Sequence, residues 1–170
     1  MRAWGILFAL TLGVMTAAAG AQTPANADAE KAEIAKAIHA SIAWALTKDR
    51  ALLERTMVHD GSLTIIWTHS GGSVTGWDNF SKLFKIWMDP RFKATVTDVR
   101  DLKIFVSRSG DAAWFSATLD DFGEWDGEVM GAKDIRWTGV LEKRDGRWVI
   151  VQSHGSLAAD KVEKEAKKPG

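Results

Sequence analysis

From Phe92 onward this sequence reads as strand after strand, whereas most of the periodic pattern before it repeats at helical spacing. That order is the strongest constraint on what the chain can fold into. Residues 92–99, 102–107, 112–119, 135–143 and 147–156 alternate or are rich in β-branched and aromatic side chains, as half-buried strands are. Ser109-Gly110-Asp111 and Asp145-Gly146 supply turns. The second is the strongest hairpin signal in the chain, because a tight hairpin turn needs residues that tolerate positive φ. Residues 122–132, with Gly123, Gly127 and Gly131, read as a looser crossing or loop.

Ahead of the strands, Ile34, Ile38, Ile42 and Leu46 recur at i+4 and line one apolar stripe of a helix that begins near Asp28. Lys31, Glu33 and Lys36 fall mostly off that stripe. Asp49 is placed to cap a short second helix with Leu52, Leu53, Thr56 and Met57 facing inward. Residues 62–69 are β-rich, and Gly71-Gly72 turns the chain before Val74, which fits a hairpin. Trp77, Phe80, Leu83, Phe84, Trp87 and Met88 are again helix-periodic, so a third helix is expected to end near Asp89-Pro90. Helices first and a meander of long strands afterwards define an α+β fold, with the helices covering one face of an antiparallel sheet.

The N-terminus carries a different pattern. Arg2, the apolar stretch from Gly5 to Met15 and the small residues Ala19-Gly20-Ala21 match a secretory leader at residues 1–21, with cleavage before Gln22. The apolar run is too short for a spanning helix and no second one follows, so no membrane association is expected after cleavage. Residues 22–27 then form a linker, 28–157 one domain and 158–170 a charged tail. Zero Cys removes disulfides, Cys-ligated zinc and thiol nucleophiles together, which suits a periplasmic or secreted protein held by its core alone. Lys+Arg 22 balances Asp+Glu 22 without a basic cluster in the folded part, which argues against nucleic acid as a partner.

The run Arg136-Trp137-Thr138-Gly139-Val140-Leu141-Glu142-Lys143-Arg144-Asp145-Gly146-Arg147-Trp148-Val149-Ile150-Val151-Gln152-Ser153-His154-Gly155-Ser156 resembles the closing hairpin of SnoaL-like proteins, in the nuclear transport factor 2-like superfamily. Ala113-Trp114-Phe115 followed by Leu119-Asp120 is similar to the preceding strand, and Gly76-Trp77 to the start of the helix before it. The resemblance spans nearly the whole expected domain. It implies a cone-shaped curved sheet wrapped around three N-terminal helices, open at one end to a pocket, and a homodimer formed through the outer sheet face. Members include isomerases, dehydratases, epoxide hydrolases and non-catalytic binders, so the chemistry has to come from the site. The tyrosine hydroxyls of the steroid isomerase and scytalone dehydratase members have no counterpart, because the chain has no Tyr. The epoxide hydrolase pattern would need Arg136 between two inward aspartates, with Asp134 alone on its strand face.

Candidate site residues follow from strand alternation. Trp148, Ile150, Gln152, His154 and Ser156 share one face of the last strand by period two, so Gln152, His154 and Ser156 are expected to continue an inward face to the cone mouth. A hydrogen-bonded core histidine is the other reading of His154. Arg136, near the far end of the same hairpin, is a fixed cation for a carboxylate or phosphate, or a surface arginine. Trp114, Ser116, Thr118 and Asp120 share a face, making Asp120 a candidate general base, unless Asp120-Asp121 opens a turn in water. Trp44, Trp67, Trp77, Trp87 and Trp114, among nine Trp, sit on elements expected to border the cavity and suit a planar or hydrophobic guest, or simply fill a core.

The four His lie on different elements without close ligand spacing, so no metal site is read, and no phosphate loop or GxSxG setting is present. Three functions stay open: a binder of a small hydrophobic or aromatic molecule without a cofactor; a cofactor-free isomerase, hydratase or hydrolase using His154 or Asp120 with Arg136; and a dimerisation module with a filled cone.

Overall fold

The computed structural model of the protein describes residues 24–69 and 71–160; the expected leader and nearly all of the charged tail lie outside them. Helix α1, Pro24–Thr47, is the backbone of the helical layer. Ile34 and Ile38 are fully buried as expected, but the buried side then passes to Ser41 and Trp44, leaving Leu46 47% exposed. Each i+4 step advances about 40° around a helix of 3.6 residues per turn, so a strict i+4 row spirals off the covered face within three steps. Helix α2, Arg50–Thr56, starts where Asp49 accepts a hydrogen bond from Leu52 N–H at 2.9 Å, and it buries Leu53 and Thr56. Trp77–Ser81 (α3) and Phe84–Trp87 (α4) replace the single third helix that was expected. Between them Leu83 N–H bonds to Phe80 and Ile86 N–H to Leu83, a tighter i−3 pattern that interrupts the α-helix while keeping Phe80 and Phe84 buried.

Six strands form one curved, unclosed sheet. They are β1 (Thr64–Ile66), β2 (Val74–Thr75), β3 (Phe92–Val106), β4 (Ala112–Trp125), β5 (Glu128–Arg144) and β6 (Arg147–Ser156), in the order β2-β1-β6-β5-β4-β3. All neighbours are antiparallel except β1 and β6, which run parallel with Ile66 beside His154. Residues 122–132, expected as a loop, instead extend β4 and β5 on both sides of an Asp126-Gly127 turn. Asp126 and Gly127 have φ of 55° and 88°, and Asp145 and Gly146 have 50° and 76°, so the two Asp-Gly pairs build the same kind of turn. The two stretches expected at 92–99 and 102–107 are one strand with a bulge between Arg100 and Lys103, where Asp101 takes φ 54°.

The helix-covered face of the sheet carries Ala113, Phe115, Leu119, Ile135, Trp137, Leu141 and Ile150, packed with Ile34, Ile38 and Trp44 into one core. Two inner-face glycines make room for aromatic rings. A Cβ on Gly139 would lie 2.4 Å from the Phe115 ring, and one on Gly155 would lie 3.1 Å from Trp67. Phe115 in turn meets Trp137 edge-on at 4.9 Å, and the Trp137 indole donates to Ser153 Oγ at 2.9 Å, so this buried indole leaves no donor unmet.

Candidate functional site

The register of the closing hairpin decides which side chains face the helices. Leu141 pairs with Ile150 but Val140 pairs with Gln152, so Val151 is an extra residue in β6. Such a bulge resets the alternation beyond it. Trp148 and Ile150 face inward; past the bulge the inward positions are Ser153 and Gly155, and both are buried. Gln152, His154 and Ser156 therefore lie on the outer face, opposite Val140, Thr138 and Arg136 respectively. The expectation that they continue the inward face is corrected on this ground: simple alternation counts one residue too few.

On that outer face the expected residues do come together, in rows across the strands. Gln152, Val140, Trp114 and Phe105 form one row, His154, Thr138, Ser116 and Lys103 the next, and Ser156, Arg136, Thr118 and Arg100 a third. Arg136 is exposed and donates to the Leu157 carbonyl at 2.8 Å. Trp114 is 49% exposed and stacks on Phe105, so it borders no interior cavity. Of the other tryptophans, Trp44 is buried in edge-on contact with Phe84 and Trp87, Trp67 fills the notch at Gly155, and Trp77 stacks on His59 at 3.8 Å. Trp44, Trp67, Trp77 and Trp87 belong to the packed interior or its margin.

Asp120 and Asp121 do not open a turn; both lie within β4, and they differ sharply. Asp120 shares the outer side with Arg100, whose Nη2 donates to Asp120 Oδ1 at 2.5 Å and to Asp134 Oδ1 at 3.0 Å. The Asp134 backbone N–H adds a bond to Asp120 Oδ1 at 2.8 Å. That backbone bond and the Arg100 guanidinium hold the Asp120 carboxyl below its ordinary range, against the opposing effect of burial. An Asp-Arg-Asp cluster thus exists, built on Arg100 rather than Arg136, and it fastens the β4–β5 bulge on the outer side. Nothing in it resembles a base waiting for a proton.

Asp121 faces the other way. It pairs in register with Thr97 on β3 and with Ala132 on β5, and Ala132 packs on the core. Pairing of this kind sets Cβ atoms about 4.5–5.5 Å apart. The row lies beyond the end of β6, since Ser156 reaches only Arg136, and there the sheet is three strands wide. Among the described residues neither Asp121 nor Thr97 has a side-chain hydrogen bond. Burial alone pushes the Asp121 carboxyl up to about 6. Neither group is sealed from solvent, so the carboxyl and the hydroxyl are open to water or to a guest. The sequence signal for Asp121 was present in its position two residues after the apolar Leu119, on the opposite face from Asp120. Among the described residues no group of three or more His, Cys, Asp or Glu is arranged to hold a metal.

A long helix and three short ones covering one face of a curved six-stranded sheet, with a half-buried acid on the covered face, define an α+β roll of the nuclear transport factor 2-like class. The SnoaL-like domain matches residues 34–160, and the chain belongs to that family. No curated protein matches the sequence. Among solved structures, a nuclear transport factor 2-like superfamily protein from Salmonella enterica serovar Typhimurium is similar over 78% of this chain and 95% of its own, at 20% identity and a TM-score of 0.66. A nuclear transport factor 2-like protein from Cytophaga hutchinsonii covers 75% of this chain and 98% of its own, at 17% identity and 0.61. A protein of unknown function with a cystatin-like fold from Nostoc punctiforme covers 76% and 91%, at 14% identity and 0.57. At these identities the likeness shows the fold alone.

Proposed function

We propose that the protein takes a small, largely apolar molecule against the helix-covered face beyond the end of β6, and that Asp121 anchors it and exchanges a proton with it. The observation that carries this reading is the unpartnered Asp121 carboxyl beside the unpartnered Thr97 hydroxyl on an otherwise apolar face. An acid titrating near 6 is matched to moving a proton at neutral pH, the work of a cofactor-free isomerase or hydratase. Half-buried Trp67 and Trp87 at the margin of the core would supply flat apolar walls. A neutral naphthylamine dye, N-phenyl-1-naphthylamine, tests the site. Its emission is expected to rise to saturation, with an affinity that changes between pH 5 and 7 in the parent protein but not in Asp121→Asn. Saturable binding that ignores both pH and Asp121 would remove the anchor from this reading; no binding at all would remove the site.

The leader pattern at residues 1–21 supports export to a periplasm or beyond as part of the same proposal. Sequencing the N-terminus of protein recovered from the periplasmic fraction should begin at Gln22; recovery only of chains that begin at Met1 counts against it.

One observation favours a second role. Phe105 and Trp114 stack on the outer sheet face with ring planes 14° apart and about half their surfaces exposed, beside Val140. An exposed aromatic stack on the outer strand surface suits a second copy of the chain. Sedimentation should give a homodimer that Trp114→Glu converts to monomer, whereas a monomeric parent protein would end this proposal.

A further inference from the structure

Far from the Asp121 row, at the β5–β6 turn, two clefts lie against α2, the smaller of them also against α1, with volumes of about 460 and about 340 Å³. Arg55, in the last turn of α2, and Arg147, the first residue of β6, line both. The two arginines are carried on elements tied together by backbone: Met57 bridges Ile150, and Val58 N–H bonds to the Ile150 carbonyl at 3.0 Å. Their positions are therefore set by the fold rather than by a mobile loop.

The charges around them are otherwise satisfied. In the smaller cleft Glu33 is held by Lys36 at 2.6 Å, and Glu30 by Lys143 at 2.5 Å and the Trp148 indole at 2.6 Å. In the larger cleft Glu54 pairs with Arg50 and Asp60 with Arg144, which leaves Asp145 as its one carboxylate without a partner. Arg55 and Arg147 have no ion pair and no side-chain hydrogen bond among the described residues. The smaller cleft thus holds two guanidinium groups and no carboxylate left to meet them. Its remaining lining is mostly apolar: half-buried Ala37, Ala40 and Leu52 and the buried Trp148, with Gly146 and with Thr56, whose hydroxyl is taken up by the Leu53 carbonyl.

Two planar cations above an apolar floor match a planar oxyanion joined to an apolar body, because guanidinium binds carboxylate and phosphate through paired hydrogen bonds while the floor accepts a ring. The volume sits at the lower end of the roughly 300–1,000 Å³ of small-molecule pockets, which limits the guest to one or two rings. We propose that Arg55 and Arg147 form a second ligand site, at the opposite end of the fold from the Asp121 site, for a small molecule that carries a carboxylate or phosphate beside an aromatic or aliphatic body. The two sites differ in charge preference: a buried acid disfavours an anion, and a pair of free guanidiniums selects one.

The test uses the full chain and three probes of the same ring system: 1-naphthoate, 1-naphthyl phosphate and neutral 1-naphthalenemethanol, with inorganic phosphate as a fourth arm. Two-dimensional NMR should show saturable shifts of the Trp148 indole N–H and the Arg55 and Arg147 side-chain N–H signals for at least one naphthyl anion. The neutral alcohol and inorganic phosphate are each expected to bind at least about tenfold more weakly, the factor that one charge-assisted hydrogen bond or an equal apolar contribution represents. Whichever naphthyl anion binds tighter identifies the headgroup. The double variant Arg55→Gln/Arg147→Gln should lose at least about tenfold for that anion, with an unchanged urea midpoint showing that the fold is intact. Dye binding at the Asp121 face should persist in this variant, so failure of one site is distinguishable from failure of the other. Naphthyl anion binding that survives the double substitution, or that is no tighter than inorganic phosphate, overturns the proposal.

Discussion

Asp120 and Asp121 are chain neighbours of identical chemistry, yet one is an anchored anion and the other a half-buried acid. The difference belongs to the two faces of the sheet. On the outer face Asp120 meets Arg100 and the Asp134 N–H, which favour its charged form. On the helix-covered face Asp121 meets apolar neighbours and Thr97, and burial favours its neutral form. A strand turns one step along the chain into a change of solvent, so residue type alone says little about a carboxyl's role.

The contrast between faces is broken most severely by emptying the inner one. Trp137→Ala removes a fully buried indole, its contact with Phe115 and its bond to Ser153, and should cost about 3–5 kcal/mol. Trp114→Ala on the outer face should cost no more than about 1.5 kcal/mol, the scale of an exposed aromatic pair. Urea denaturation of the two variants side by side checks this; equal losses would mean that the outer stack is as buried as the core.

The aspartates sharpen the comparison through pH. Because the folded pKa of Asp121 is raised above its unfolded value, its charged form penalises folding fully above about 6, and the penalty disappears below the unfolded value. Asp121→Asn should therefore stabilise the protein at pH 7 by on the order of 2–3 kcal/mol, and the gain should shrink as pH falls and be gone below about pH 3. Asp120 has the opposite sign: its depressed folded pKa gives stability that is present above the unfolded value and lost as pH falls. Asp120→Asn should destabilise the protein at pH 7 and progressively less in acid. Denaturation midpoints of both variants from pH 4 to 8 should converge from opposite sides of the parent curve, and parallel curves would contradict the assignment of faces.

A smaller effect is expected where space, not charge, distinguishes the faces. Gly139→Ala places a methyl group against the Phe115 ring and the Gln152 carbonyl and should cost about 1–3 kcal/mol. Its outward neighbour Thr138, exposed, should tolerate alanine within about 0.5 kcal/mol. Calorimetric melting of the pair checks the difference.

Much of the architecture was legible from local chemistry. Asp49 caps α2 because a side-chain acceptor precedes an apolar turn, and Asp145-Gly146 turns β5 into β6 because both residues accept positive φ. Asp126-Gly127 carries the same signal, but the surrounding glycines and charges of residues 122–132 hide the alternation, so the strand ends look like a loop in the sequence. The split between α3 and α4 left no mark in the spacing of Phe80, Leu83, Phe84 and Trp87, because i−3 and i−4 turns bring the same residues to one side. The candidate site was less legible. Trp114, Arg136, Gln152, His154 and Ser156 do share a face, but alternation puts Gln152, His154 and Ser156 on the inner side because Val151 is an extra residue that no periodicity announces.

By itself, the sequence determined the α+β order, the two Asp-Gly turns, the membership in the SnoaL-like family and which side chains stand next to one another along uninterrupted strand segments, because these depend on neighbours a few residues apart. Only the tertiary structure decided which side of the sheet the helices cover, that Asp121 rather than Asp120 is the half-buried acid, and that Arg55 and Arg147 wall the same clefts. Strand alternation fixes a period but not its phase, and a single bulge resets that phase; what sets it is packing between segments far apart in the chain.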